Sequence, residues 1–274
     1  MPARTRPIHF IPVLGLGLGL ALATPASAQF RASSDDRWCE QERGGDEGER
    51  YCEVREMAVA ASRPVAVDSS PNGGIQVDGA EGGSIRIEAR VVTRAQTLEE
   101  ARAMAGAVQI ESQGTIRASG PDEHRRGRGW YVSYRLHVPK GGQVDLSAQN
   151  GGISFRNFDG TAEFRTVNGG VSIARSAGRL RGRTSNGGVD VALDGTEWNG
   201  EGLDVQTTNG GVKLSVPEDY NARLETGTVN GGLDLRFPVR VEGKLQRQID
   251  ITLGRGGAPI RATTTNGGVV LRRP

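Results

Sequence analysis

The chain is poor in the residues that usually carry chemistry. Of its 274 residues only two are cysteine and three histidine, and aromatics make up 5%. Beyond the first 28 residues there is no apolar run long enough to span a membrane. Lysine is confined to Lys140, Lys213 and Lys244, so nearly all basic charge is arginine, which reads first as genome composition. Two histidines beyond the leader, His124 and His137, and no Gly-x-Ser-x-Gly elbow leave little material for nucleophilic catalysis. His137 lies in an alternating strand beside Leu136 and Val138 and reads as structural, while His124 lies in a solvated Gly/Arg loop. The scarcity of aromatics also argues against a sugar-stacking stripe.

Residues 1–28 read as a secretory signal. Arg4 and Arg6 form a basic start, Ile11 to Ala23 is apolar, and Ala26-Ser27-Ala28 suits a cleavage site before Gln29. No Cys follows that site, which disfavours a lipid anchor. Removing two arginines and no acids leaves the mature chain with 32 basic and 32 acidic residues, so the formal charge of +2 belongs to the precursor. A nucleic-acid-binding role loses its support. The expected location is extracytoplasmic, periplasmic or secreted, with no membrane span in the mature chain. In an oxidising compartment Cys39 and Cys52 read as a disulfide, worth roughly 3 kcal/mol by loop entropy.

What is abundant is glycine, 41 residues, much of it in Asn-Gly-Gly. That tripeptide starts at Asn72, Asn150, Asn168, Asn186, Asn209, Asn230 and Asn266. The last six are spaced 18, 18, 23, 21 and 36 residues apart, and a period near 20 marks a stacked repeat. Each copy precedes a short alternation such as Val171-Ser172-Ile173, with period 2, and Thr precedes several of them. Asn-Gly supplies residues that tolerate positive φ, as a corner or reversal needs. It is also a hairpin signal, which keeps a meandering sandwich as a rival. The near-constant period, and insertions that fall at one place in the unit, favour the solenoid. The expected fold is all-β: a single-stranded β-helix of 18–23-residue coils with Asn-Gly-Gly corners. The long 230–266 interval is read as two coils, the second lacking its tripeptide.

Three segments are expected: the signal (1–28), a polar leader holding the disulfide (29–56), and the repeat domain (57–274), regular over 143–274. One short capping helix begins at Thr97, with Glu100 completing a capping box.

The pattern Thr-x-Asn-Gly-Gly-Val-x-Leu behind a signal peptide resembles the bacterial putative-adhesin β-strand-repeat family, whose domain has no assigned function. The likeness covers residues 57–274 and is best over 150–274. It implies a β-helix outside the cytoplasm and transfers no catalytic residue.

Asp190, Asp204 and Asp234 occupy outward positions in successive repeats and are expected to form an acidic column, read as a solubility feature or, alternatively, as the acids of a carbohydrate-active enzyme. The repeat lacks the Asp of calcium-binding nonapeptides. Trp198, in the five-residue expansion of one coil, and Trp130 with Tyr131, after the basic loop bearing Arg125 and Arg126, are the candidate partner contacts. The expected function is a secreted, non-enzymatic, adhesin-like scaffold that contacts an envelope protein or glycan and uses no cofactor, metal or nucleic acid. An envelope-stress or signalling accessory is the alternative.

Overall fold

A computed structural model of the protein describes residues 29–42, 48–122, 127–236 and 247–274, and the structural statements below concern these. The expected signal segment, His124, Arg125 and Arg126 lie outside them.

The strands begin with β1 (Arg31–Ala32), β2 (Glu49–Ala60), β3 (Val65–Asp68), β4 (Ile75–Ala80) and β5 (Ser84–Ala95), followed by helix α1 (Leu98–Ala107). Next come β6 (Gln109–Glu111), β7 (Thr115–Ser119), β8 (Gly129–Pro139), β9 (Gln143–Ala148), β10 (Ile153–Arg156), β11 (Asp159–Thr166), β12 (Val171–Ala174), β13 (Ala177–Asn186) and β14 (Val189–Ala192). The chain ends with β15 (Gly202–Asn209), β16 (Val212–Ser215), β17 (Ala222–Asn230), β18 (Leu233–Arg236), β19 (Gln248–Leu253), β20 (Pro259–Asn266) and β21 (Val269–Arg272).

They form two mixed sheets, neither of which closes on itself. The front sheet has 11 strands in the order β1-β2-β5-β8-β4-β10-β12-β14-β16-β21-β18; the back sheet has 10 in the order β19-β17-β20-β15-β13-β11-β9-β3-β7-β6. From β9 to β18 the chain alternates between back and front, so each rung is one back strand followed by one front strand. Period-2 alternation turns every second side chain into the space between the sheets. Register stacks the inward residues in columns, such as Ile153, Val171, Val189, Val212 and Val269 across the front sheet. β-branched and aliphatic side chains fit such a pleated, buried surface. Phe155 of the front sheet and Phe164 of the back sheet bridge the two, with ring centroids 5.0 Å apart.

Rungs follow chain order only in the middle. The rung β20/β21 lies between β15/β16 and β17/β18, and β3/β4 lies between β7/β8 and β9/β10. Among the described residues the 230–266 interval holds no second back-and-front coil; its residues 237–246 lie outside them. It contains β19, which runs antiparallel to β17 as the last strand of the back sheet, before β20 returns to the inner side of β17. An antiparallel strand laid on a parallel edge uses up that edge's open hydrogen-bonding groups.

At the other end, β5, β2 and β1 extend the front sheet antiparallel beyond the rungs. Helix α1 covers the inner face of this overhang with Ala101, Met104 and Ala105. Thr97 accepts a hydrogen bond from the Glu100 amide (3.2 Å). Arg55 of β2 donates to the carbonyls of Ala105 and Val108 (2.7 and 2.6 Å), placing a cation on the helix C-terminus. Strand β2 runs continuously through residue 56, where the leader was expected to end.

Candidate functional site

Every Asn-Gly-Gly lies where the chain crosses from back sheet to front sheet. The seven Asn side chains form one column, in the spatial order 72, 150, 168, 186, 209, 266, 230. Six amide-to-amide hydrogen bonds of 2.8–3.1 Å link them. Of the 14 glycines in these tripeptides only Gly73 has positive φ (140°). The first glycine of each tripeptide serves close approach: a Cβ on Gly169 would overlap the Gly151 carbonyl of the neighbouring rung, and one on Gly187 the carbonyl of Gly169. Buried Thr166, Thr184, Thr207 and Thr264 each donate to a stacked glycine carbonyl, Gly151, Gly169, Gly187 and Gly210, at 2.7 Å. The threonine of the motif thus satisfies a carbonyl that would otherwise sit at the edge of the core.

Beyond each crossing the second front-strand residue points outward. Gln76, Ser154, Ser172, Asp190 and Lys213 stand in register on five successive rungs. The two serines are short, and the tripeptide glycines beside the row add no bulk, so the row sinks into a trough of about 830 Å³. Trp38 and Arg90 line one end of it.

Trp38 reaches this face because the leader is stapled there. It sits in a 3-10 helix (Arg37–Glu42), next to Cys39, which is disulfide-bonded to Cys52 of β2. The guanidinium of Arg135 lies 4.2 Å from the Trp38 ring centroid and that of Arg90 4.8 Å, and Arg90 also donates to the Trp38 carbonyl (3.2 Å). Cation–π contacts of this kind hold a ring in place. Just before the helix, hydrogen bonds from Arg37 lower the Asp35 carboxyl to about 2.

The expected acidic column does not form. Asp204 lies on the back sheet, whereas Asp190 and Asp234 lie on the front sheet, separated by Lys213 and Val270. The physical reason is that consecutive strands alternate between sheets, so outward residues of neighbouring strands face opposite ways. Three strand spacings of ~4.8 Å put Asp190 and Asp234 about 14 Å apart, beyond the separation at which paired carboxyls work on one glycosidic bond.

Trp198 is not at the surface either. It is 5% exposed, packs into the core, and donates its indole N–H to the Gly178 carbonyl (2.9 Å). Its neighbours in the expansion, Gly195, Thr196, Glu197, Asn199 and Gly200, stay exposed, so the indole alone turns inward. Trp130 is half-buried, with its indole on the Pro121 carbonyl (3.0 Å). Together with Tyr131, Arg50, Arg94 and Arg128 it lines a separate hollow of about 320 Å³. His137 is half-buried with Nε2 3.4 Å from a Glu88 carboxylate oxygen, and burial, with help from Arg86, lowers its pKa. Among the described residues no helix is long and apolar enough to cross a membrane, and no three potential ligands cluster to hold a metal ion.

Trp38 escaped the sequence reading, although an aromatic next to a cysteine is a usable signal, because a disulfide fixes where its neighbour lies. The trough residues were legible as the x of Val-x-Leu, but not as one row.

No protein-family model and no curated protein matches the chain. Solved structures with a similar path include a putative cell adhesion protein of Clostridium sporogenes (9% identity, 82% of this chain and 100% of that one, TM-score 0.44). A putative adhesin of Bacteroides fragilis (11%, 83% and 100%, TM-score 0.42) and a putative lipid binding protein of Parabacteroides distasonis (10%, 83% and 98%, TM-score 0.29) are others. Likeness at this level assigns no role.

Proposed function

We propose that the protein is an extracytoplasmic, non-enzymatic binding scaffold: a two-sheeted parallel β-solenoid with Asn-Gly-Gly corners, whose front face holds an extended, hydroxyl-rich chain such as an envelope glycan. The observation that carries this reading is the trough. Its floor offers hydroxyls, an amide, a carboxylate and an ammonium in one straight row, and an aromatic ring borders one end. Such a mixture of donors and acceptors, on a surface held rigid by backbone ladders, suits a ligand rich in hydroxyl groups. The disulfide agrees with an oxidising compartment. The carbohydrate-active alternative loses its proposed acidic column, since Asp204 is on the back sheet and Asp190 and Asp234 are about 14 Å apart on the front one.

The reading is tested by binding of the purified protein to a panel of envelope glycans, with variants that fill or blunt the trough. Ser172→Tyr and Trp38→Ala should each weaken the best ligand about tenfold or more while the thermal midpoint stays nearly constant. Undiminished binding in both would place the site elsewhere, and cleaved glycan would overturn the non-enzymatic assignment.

A further inference from the structure

The opposite face carries a second feature. Outward residues of the back sheet form two rows across the rungs. One reads Asp145, Glu163, Arg181, Asp204, Arg261, Glu225, Asp250, in which signs alternate from Glu163 to Glu225 and acids meet acids at the two ends. The other reads Ser147, Arg165, Arg183, Gln206, Thr263, and places two arginines directly side by side with neutral neighbours at either end. Arg165, Arg181 and Arg183 are exposed and make no ion pair or hydrogen bond among the described residues, unlike Arg261, which reaches Glu225 at 3.9 Å. The three arginines border a hollow of about 360 Å³ that is also lined by Asp145, Glu163, Asp204 and Gln206.

Like charges facing each other across adjacent strands destabilise a sheet. The like-charged neighbours of the first row are acids, whereas Arg165 and Arg183 are the one pair of cations on adjacent strands in the two rows, and neither is held by an ion pair among the described residues. Guanidinium forks present paired donors that match the two oxygens of a carboxylate or phosphate. We propose that Arg165 and Arg183, flanked by Arg181 and Gln206, form an oxyanion-binding site for a linear acidic polysaccharide, separate from the trough on the front sheet. The strand spacing of ~4.8 Å is close to the length of one sugar ring, so adjacent arginines can meet anionic groups on consecutive residues. The carboxylates Asp145, Glu163 and Asp204 of the first row line the other side of the hollow. They confine a bound chain to the arginine row and oppose a wide, uniformly charged ligand such as duplex DNA.

The test titrates the purified protein by calorimetry with oligogalacturonate, inorganic tripolyphosphate, a neutral xylan oligosaccharide and a DNA duplex, at low and at physiological salt. The site requires binding of oligogalacturonate, tripolyphosphate or both, weakening as salt rises, with xylan unbound at this face. Uronate alone identifies a carboxylate source and tripolyphosphate alone a phosphate source. R165Q/R183Q should weaken binding about tenfold or more, while R261Q, on the same face, leaves it unchanged. Removing like-charge repulsion should leave the thermal midpoint equal or higher, which separates lost binding from lost folding. R165K/R183K keeps the charge without the fork and should lose part of the affinity. No binding of either anion at low salt, equal losses in R165Q/R183Q and R261Q, or preference for the DNA duplex would overturn the proposal.

Discussion

At the scale of single residues, stability is decided by close contact at the crossings and by a few buried polar atoms. Gly169→Ala sets a methyl group against the Gly151 carbonyl and should cost about 3 kcal/mol, read as a lower urea midpoint at unchanged slope. Tyr134, 0% exposed, has a hydroxyl with no hydrogen-bond partner among the described residues, and burial raises its pKa. Tyr134→Phe should therefore stabilise the fold by about 1 kcal/mol. His137 is depressed below its ordinary 6.5. The unfolded chain then binds the proton first, so the stability it contributes is complete above pH 6.5 and is lost as pH falls through the folded value. His137→Gln should flatten that acid-side decline in urea midpoints taken from pH 7 downward. The glycines were visible in the sequence for the wrong reason. Asn-Gly suggests left-handed backbone, yet the non-glycine residues with positive φ are Asn157 and Arg175, at the other crossing. Close stacking of backbones from different rungs leaves no local mark beyond the glycine itself.

At the scale of elements, the out-of-order rungs determine what depends on what. Among the described residues strand β18 pairs only with β21, and β17 only with β20 and β19. The last rung is thus the link that attaches β17, β18 and β19 to the stack. Deleting residues 259–274 should abolish hydrogen-exchange protection over β17, β18 and β19 while the rungs from β9 to β16 keep theirs. Equal loss throughout would mean that the stack folds as one cooperative unit. The middle rungs were legible because each carries the tripeptide and the alternation it introduces. The ends were not, because insertion of β3/β4 and β20/β21 is settled by long-range pairing and edge protection. The leader reads in sequence as a polar, disulfide-bearing cap or tether, and Cys39–Cys52 fixes its short helix and Trp38 beside the trough. Reducing that disulfide should release the ring from Arg90 and Arg135, seen as a red shift in tryptophan emission.

At the scale of the whole molecule, two packed sheets give two unlike outer faces. The front one carries a mostly neutral trough with an aromatic at one end, and the back one carries rows of charge with a pair of adjacent arginines. Scarcity of histidine and cysteine turns the reading of the sequence towards binding rather than catalysis, but composition does not tell which face is concave. That depends on serines and glycines lining up across rungs up to 78 residues apart in sequence. The most direct test of the central claim is hydrogen-exchange footprinting of the purified protein with the tightest ligand from the glycan panel. The account requires new protection on β4, β10, β12, β14 and β16 and at Trp38. Protection confined to the hollow beside Trp130, or none on the front strands at saturating ligand, would contradict it.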